Sequence, residues 1–117
     1  MAHILIVDDE PLLRDELQES LELEDFEVST AEAGLEALEK CRHTAFDVVV
    51  TDLKMPKMGG LELIRKLNEQ GFDGQVIVVS GHGAESNRTE AMENGAVACF
   101  AKPLDIEELI EKLNEVL

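Results

Sequence analysis

The chain of 117 residues holds 26 acidic against 10 basic side chains, a formal net charge of −16. That balance argues against direct binding to nucleic acid or to an anionic membrane, since both need positive surface; it serves solubility or the choice of partners, and composition does not separate these two roles. With 44% hydrophobic residues, the chain has enough apolar surface for one packed domain over residues 1–117 without disulfides.

Apolar runs alternate with amphipathic stretches five times, and no linker, repeat or low-complexity tract interrupts them. His3–Val7 reads as a strand. Pro11 then marks a helix start, where its missing N–H costs nothing, and Leu13, Leu17 and Leu21 fall on one face of that helix. Phe26–Ala31 reads as a second strand, followed by a helix over Gly34–Arg42 with Ala37, Leu38 and Cys41 inward. Phe46–Thr51 is β-branched and apolar almost throughout, as expected of a strand covered on both faces. Met55–Gly60 reads as a loop, and Leu61, Ile64 and Leu67 mark a helix stopped by Gly71.

Gln75–Val79 is the fourth predicted strand, and Gly81-His82-Gly83 a turn. The helix predicted over Glu85–Asn94 has only Ala91 and Met92 as clear core residues, among Ser86, Asn87, Arg88 and Thr89, and is expected to be the least firmly held. Gly95 closes it and Val97–Ala101 forms the fifth strand. Asp105 is a candidate N-cap with Glu108 three residues later. Ile106, Leu109, Ile110, Leu113 and Leu117 then form the stripe expected to be buried. Strict βα alternation calls for an α/β fold, with parallel strands, right-handed crossovers and helices on both faces of one sheet.

Cys41 and Cys99 lie within core elements and show no metal-ligand or redox spacing, as expected of reduced thiols in a cytoplasmic protein. No apolar stretch approaches the ~20 residues a membrane helix needs. The start MAHILIVDD lacks the basic segment of a signal peptide. The sequence ends with its last helix, so no output domain is expected within it; a stand-alone protein and a piece of a longer regulator both remain open.

The chemistry sits where strands end. Asp8-Asp9 follow the first strand, Asp52 the third, Ser80 the fourth and Lys102-Pro103 the fifth. In a parallel α/β sheet those ends emerge at one edge, where ligands bind. Any one of these residues has an ordinary explanation as a cap, turn former or solvated side chain; together they place three carboxylates, a hydroxyl and an ammonium at one edge. Carboxylates that crowd together repel, and a divalent cation removes the conflict. Oxygen-only ligation suits Mg²⁺ or Mn²⁺ rather than zinc. A phosphoryl group carries about two negative charges and would meet the metal, Lys102 and Ser80, while Asp52 can serve as nucleophile to form an acyl phosphate.

These residues fall in four ordered segments: IVDDE (6–10), VVVTDLKMPKMGG (48–60), VVSGH (78–82) and FAKPLDIEEL (100–109). With them the chain resembles, over essentially its whole length, the receiver domain of bacterial two-component response regulators. The resemblance implies a flavodoxin-like (βα)5 fold, with a single five-stranded parallel sheet of order 2-1-3-4-5. It implies that Asp52 accepts a phosphoryl group from the phosphohistidine of a sensor histidine kinase or phosphotransfer protein. Asp9, Asp52 and the main-chain carbonyl of Lys54 would bind Mg²⁺, with Asp8 acting mostly through water. Ser80 and Lys102 would hold the phosphoryl oxygens, a cis bond before Pro103 would aim Lys102 inward, and the Lys54 and His82 side chains would tune dephosphorylation. Ser80 and the loop from Gly81 would move on phosphorylation, and the surface of the fourth helix, fifth strand and fifth helix would change its affinity for a downstream effector or fused output domain. The chain would be a switch and not an enzyme in the usual sense, its chemistry confined to its own phosphorylation and dephosphorylation.

One departure stands out. The family usually carries an aromatic switch residue three positions before the lysine; here it is Cys99, and strand alternation turns the neighbouring Phe100 to the other face. Cys99 reads as a small core filler, with a regulatory thiol as the alternative. Leu104 replaces the usual Phe after Lys102-Pro103. Three rivals compete with the switch. A degenerate receiver would signal by constitutive contacts, but the site residues are intact. A dehalogenase-type phosphatase wants a second Asp where Lys54 stands. A flavodoxin-like electron carrier wants a hydroxyl-rich phosphate loop and a Trp or Tyr, and the chain has neither aromatic.

Overall fold

The computed structural model describes residues 1–81 and 85–117, with the backbone alone for residues 85–87. Five strands and five helices alternate: β1 (His3–Val7), α1 (Pro11–Leu23), β2 (Glu27–Ala31), α2 (Gly34–His43), β3 (Val48–Asp52), α3 (Gly60–Glu69), β4 (Gln75–Ser80), α4 (Glu85–Glu93), β5 (Ala98–Ala101) and α5 (Ile106–Val116). The strands form one parallel sheet in the order β2-β1-β3-β4-β5. This is the architecture the family resemblance implied.

Alternation along the strands divides the interior into two cores. Leu5, Val7, Val49, Val76 and Val78 face α2, α3 and α4, packing with Ala37, Leu38, Leu63, Ile64, Leu67 and Ala91. Ile4, Ile6, Val48, Val50, Ile77 and Val79 face α1 and α5, packing with Leu17, Leu21, Leu109 and Leu113. The unbroken apolar runs Ile4–Val7, Val48–Val50 and Val76–Val79 within the central strands are what two covered faces require.

The helix ends follow local chemistry. The Asp105 carboxylate accepts the main-chain N–H groups of Glu107 and Glu108 at 3.0 and 3.3 Å, capping α5. Gly71 and Gly95 have φ of +79° and +108° after α3 and α4, a conformation glycine adopts at no steric cost.

Three side chains depart from the sequence reading. Met92 on α4 and Leu117 after α5 are 41% and 48% exposed rather than core. Helical spacing alone put them inside; among the described side chains of α4, Ala91 is the one that is buried, and Leu117 lies beyond the last residue of α5. Met58, in the predicted loop, is buried. It fills the space above Gly34, where a Cβ would stand 2.7 Å from the Met58 sulfur.

Candidate functional site

The register decides which strand ends meet. Val7 pairs with Thr51 across β1 and β3, so Asp8 and Asp52 are the next residues on neighbouring central strands. Asp52 pairs with Val79 and Ser80 with Ala101, which brings the end of β4, and Lys102 after β5, to the same edge. Asp8, Asp52 and Ser80 are all buried there.

Lys102 ties the group together. Its ammonium lies 2.8 Å from Asp52 Oδ2, 3.6 Å from Asp8 Oδ2 and 3.5 Å from Glu10 Oε1. The Lys102–Pro103 peptide bond is cis. Burial works against a charged amine at Lys102, but the hydrogen bond and charge of Asp52, with the charges of Asp8 and Glu10, outweigh it and hold the ammonium above the usual lysine range. Burial also pushes the Asp8 carboxyl above the usual aspartate value, against the lowering effects of the Glu10 main-chain N–H and the Lys102 charge.

The surrounding backbone holds these groups in place. The Glu10 N–H donates to Asp8 Oδ1 at 2.9 Å, and Arg14 Nη1 donates to the Asp8 carbonyl at 2.7 Å while Nη2 sits 3.7 Å from Glu32. After β3 the chain turns back so tightly that Gly60 N–H donates to the Leu53 carbonyl at 2.8 Å. A Cβ at Gly60 would stand 2.5 Å from the Asp52 carbonyl oxygen, so only glycine allows this approach. The Lys54 N–H reaches Asp52 Oδ1 at 3.3 Å, while its side chain is exposed.

Carboxylate oxygens of Asp8, Glu10 and Asp52 lie within 4.8 Å of one another. Three carboxylates facing one ammonium, with no sulfur or imidazole among them, form a donor set for a hard divalent cation. Mg²⁺ fits these residues.

The structure thus brings Asp8, Asp52 and Lys102 into contact and places Ser80 at the adjoining strand end. Asp9 is exposed. Glu10, to which the sequence reading gave no role, joins the carboxylate group; its one signal was its place as the last residue of IVDDE. Gly81 is an exposed bend after β4, and His82 lies outside the described residues. Cys99 packs with the α2–α3–α4 core and Phe100 with the opposite one. Burial pushes the Cys99 thiol up, partly offset by the Arg88 charge, which suits a filler better than a reactive thiol. The Cys41 thiol is likewise pushed up to about 11 by burial. Among the described residues, no helix is long and apolar enough to cross a membrane.

Known proteins resemble this chain in sequence and in fold. The family profile described as "Response regulator receiver domain" matches residues 4–114. The response regulator MprA of Mycobacterium sp. (strain KMS) is 34% identical over 116 residues, covering 99% of this chain and 50% of that protein. The CpxR homolog of Haemophilus influenzae, a transcriptional regulatory protein, is 35% identical over 117 residues, covering 100% of this chain and 51% of that protein. The chain therefore spans about half the length of these curated relatives. Among solved structures, the chemotaxis protein CheY4 of Vibrio cholerae superposes with a TM-score of 0.94 at 31% identity, covering 100% of this chain and 99% of that one. The response regulator TrrA of Thermotoga maritima, solved in complex with Mg²⁺-BeF, superposes with a TM-score of 0.89 at 33% identity, covering all of both chains. With a profile match over nearly its whole length and solved relatives that superpose from end to end, this chain belongs to the family of response regulator receiver domains.

Proposed function

We propose that the chain is a phosphorylation-dependent switch in which Asp52 accepts a phosphoryl group from the phosphohistidine of a sensor kinase or phosphotransfer protein. The modified domain then changes its affinity for a downstream effector or a fused output domain through the α4–β5–α5 surface. The observation that carries this reading is the buried Asp52 carboxylate held 2.8 Å from the Lys102 ammonium and grouped with two further carboxylates.

In the transfer, an Asp52 carboxylate oxygen attacks phosphorus, the P–N bond breaks, and the imidazole leaves with the bonding pair. Asp8, Glu10 and Asp52 are the side chains that would hold Mg²⁺, with the positions of Asp9 and the Lys54 carbonyl carried over from the family resemblance. When bound, the ion supplies positive charge to the incoming phosphoryl oxygens. Lys102, already on Asp52, passes its ammonium to one of those oxygens, and Ser80 offers a hydroxyl to another. The Lys102–Pro103 bond is cis, and the role of aiming Lys102 at the site is carried over from the family resemblance. The side chains of Lys54 and His82 tune how fast the phosphoryl group is lost to water. Turnover stops at Asp52 itself, so the chain is not an enzyme acting on a separate substrate, and a cytoplasmic setting follows from a kinase partner.

Inverting a two-state equilibrium from 1:99 to 99:1 takes about 5.5 kcal/mol, and charge-assisted hydrogen bonds contribute about 1.5–3 kcal/mol each. Two or three new bonds from Lys102, Ser80 and the loop beginning at Gly81 suffice. The helix beside that loop, α4, offers Ala91 as its fully buried described side chain, which makes it the cheapest element to shift. Incubation with acetyl phosphate and Mg²⁺, followed by intact mass measurement, tests the reading: one added phosphoryl group is expected, absent in Asp52→Asn or with excess chelator. An unmodified wild-type mass would point instead to a domain that signals by constitutive contacts.

A further inference from the structure

Glu10 differs from the other two carboxylates of the group. Asp8 and Asp52 are buried, while the Glu10 side chain is 65% exposed and still reaches Lys102 at 3.5 Å. It stands at the N-cap of α1, yet its side chain makes no capping hydrogen bond, so the helix start does not depend on it. Pro11 follows at the first helical position and supplies the turn. Beside Glu10 runs a groove of about 330 Å³ whose lining includes Glu16, Lys102, Leu104 and Ile106. Glu10 and Lys102 both line this groove, so a charged group entering it comes within reach of the exposed Glu10 carboxylate as well as of the Lys102 ammonium.

We infer that Glu10 is a specificity-determining residue of the phosphorylation site: its carboxylate strengthens cation binding and disfavours the more highly charged phosphodonors. This rests on phosphoryl transfer to Asp52 as read above. The two effects share one cause. A negative charge at the mouth attracts a divalent cation and repels an anionic donor, and each unit charge within a few ångströms in a largely aqueous setting shifts an equilibrium or rate severalfold. Glu10 also competes with the donor's phosphoryl oxygens for Lys102. Since the side chain faces solvent, both effects weaken as salt screens the charge.

Calorimetric Mg²⁺ titration of the wild type, Glu10→Gln and Glu10→Asp tests the first half. Phosphorylation rates at saturating Mg²⁺, with acetyl phosphate and with the less negatively charged phosphoramidate, test the second. Glu10→Gln is expected to raise the Mg²⁺ dissociation constant about three- to tenfold and to raise the acetyl phosphate to phosphoramidate rate ratio about two- to fivefold. Both changes should shrink in high salt, and Glu10→Asp should stay close to the wild type. An unchanged Mg²⁺ affinity, an unchanged ratio, or changes that persist undiminished in high salt would each overturn the assignment. If the wild type takes up no phosphoryl group from either donor, phosphoryl transfer to Asp52 is what fails, and the Mg²⁺ titration alone then decides whether Glu10 belongs to the site.

Discussion

Ile4–Val7, Val48–Thr51 and Val76–Val79 lie in the sheet interior without an ionisable side chain, whereas Asp8 and Asp52, one residue further along β1 and β3, are nearly as deeply buried. Strand interiors are built for stability, with side chains locked between helices on both faces. Strand ends accept a cost: burial first, and the charges of Asp52 and Glu10 besides, push the Asp8 carboxyl up, and the one ammonium of Lys102 offsets three carboxylates only in part. The sheet interior holds the chain rigid enough that unfavourable charges can be kept at its edge. Those same charges are the ones that would meet a cation and a phosphoryl group in the function proposed above.

The comparison can be tested from its strongest side first. Ile77 is fully buried in the α1–α5 core, so Ile77→Ala should cost about 2–5 kcal/mol in denaturant unfolding, while whatever remains folded still phosphorylates at Asp52. A cost below about 1 kcal/mol would break the distinction, since a rigid interior cannot absorb the cavity so cheaply. Gly60 joins the two regions, because its missing Cβ lets the loop after β3 close against the Asp52 carbonyl. Gly60→Ala should cost about 1–3 kcal/mol and slow phosphorylation as well, visible in paired melting and mass measurements.

At the edge the sign reverses. The Asp8 carboxyl has a folded pKa above its ordinary 3.8, so the stability it contributes is present below that ordinary value and lost as pH rises through the folded one. At neutral pH without Mg²⁺, Asp8→Asn should therefore raise the melting temperature by a few degrees, on the order of 1 kcal/mol. The gain should shrink as the solution is acidified and the wild-type carboxyl takes up its proton. Added Mg²⁺ should stabilise the wild type more than the variant. A variant that melts lower than the wild type at neutral pH without Mg²⁺ would place Asp8 among the stabilising residues.

The smallest effect concerns Cys41. Its thiol titrates at about 11 against an ordinary 9.0, so its contribution to stability holds below pH 9.0 and is lost only as pH rises through about 11. Iodoacetamide should modify native Cys41 about a hundredfold more slowly at pH 8 than an unburied thiol, and denaturation should remove the difference.

Much of this arrangement was legible in the residues. Uninterrupted β-branched runs ending in Asp, Ser or Lys announce a buried parallel sheet with polar strand ends, and Asp105 caps its helix as its type and position indicate. Other features left no such mark. Helical spacing treats Met92 like Ala91, but only the shape of the sheet beneath α4 tells that one is buried and the other exposed. Met58 sits among Pro, Lys and Gly in a segment with every sign of a surface loop, and it is buried because α2 offers Gly34 as a place to receive it.

Glu10 shows the limit most clearly. Periodicity orients side chains only while a strand or helix lasts; at Asp8, Asp9 and Glu10 β1 has ended and α1 has not begun. Which of these acids turns toward Lys102 depends on where α1 docks and on a lysine 92 positions away. The linear chain, through local pattern and residue chemistry, specified the α/β alternation and the kinds of group at each strand end. Distances among those groups, their burial and the membership of Glu10 came from strand register and helix docking, because charge interactions depend on separation in space and that is set only once the sheet has closed.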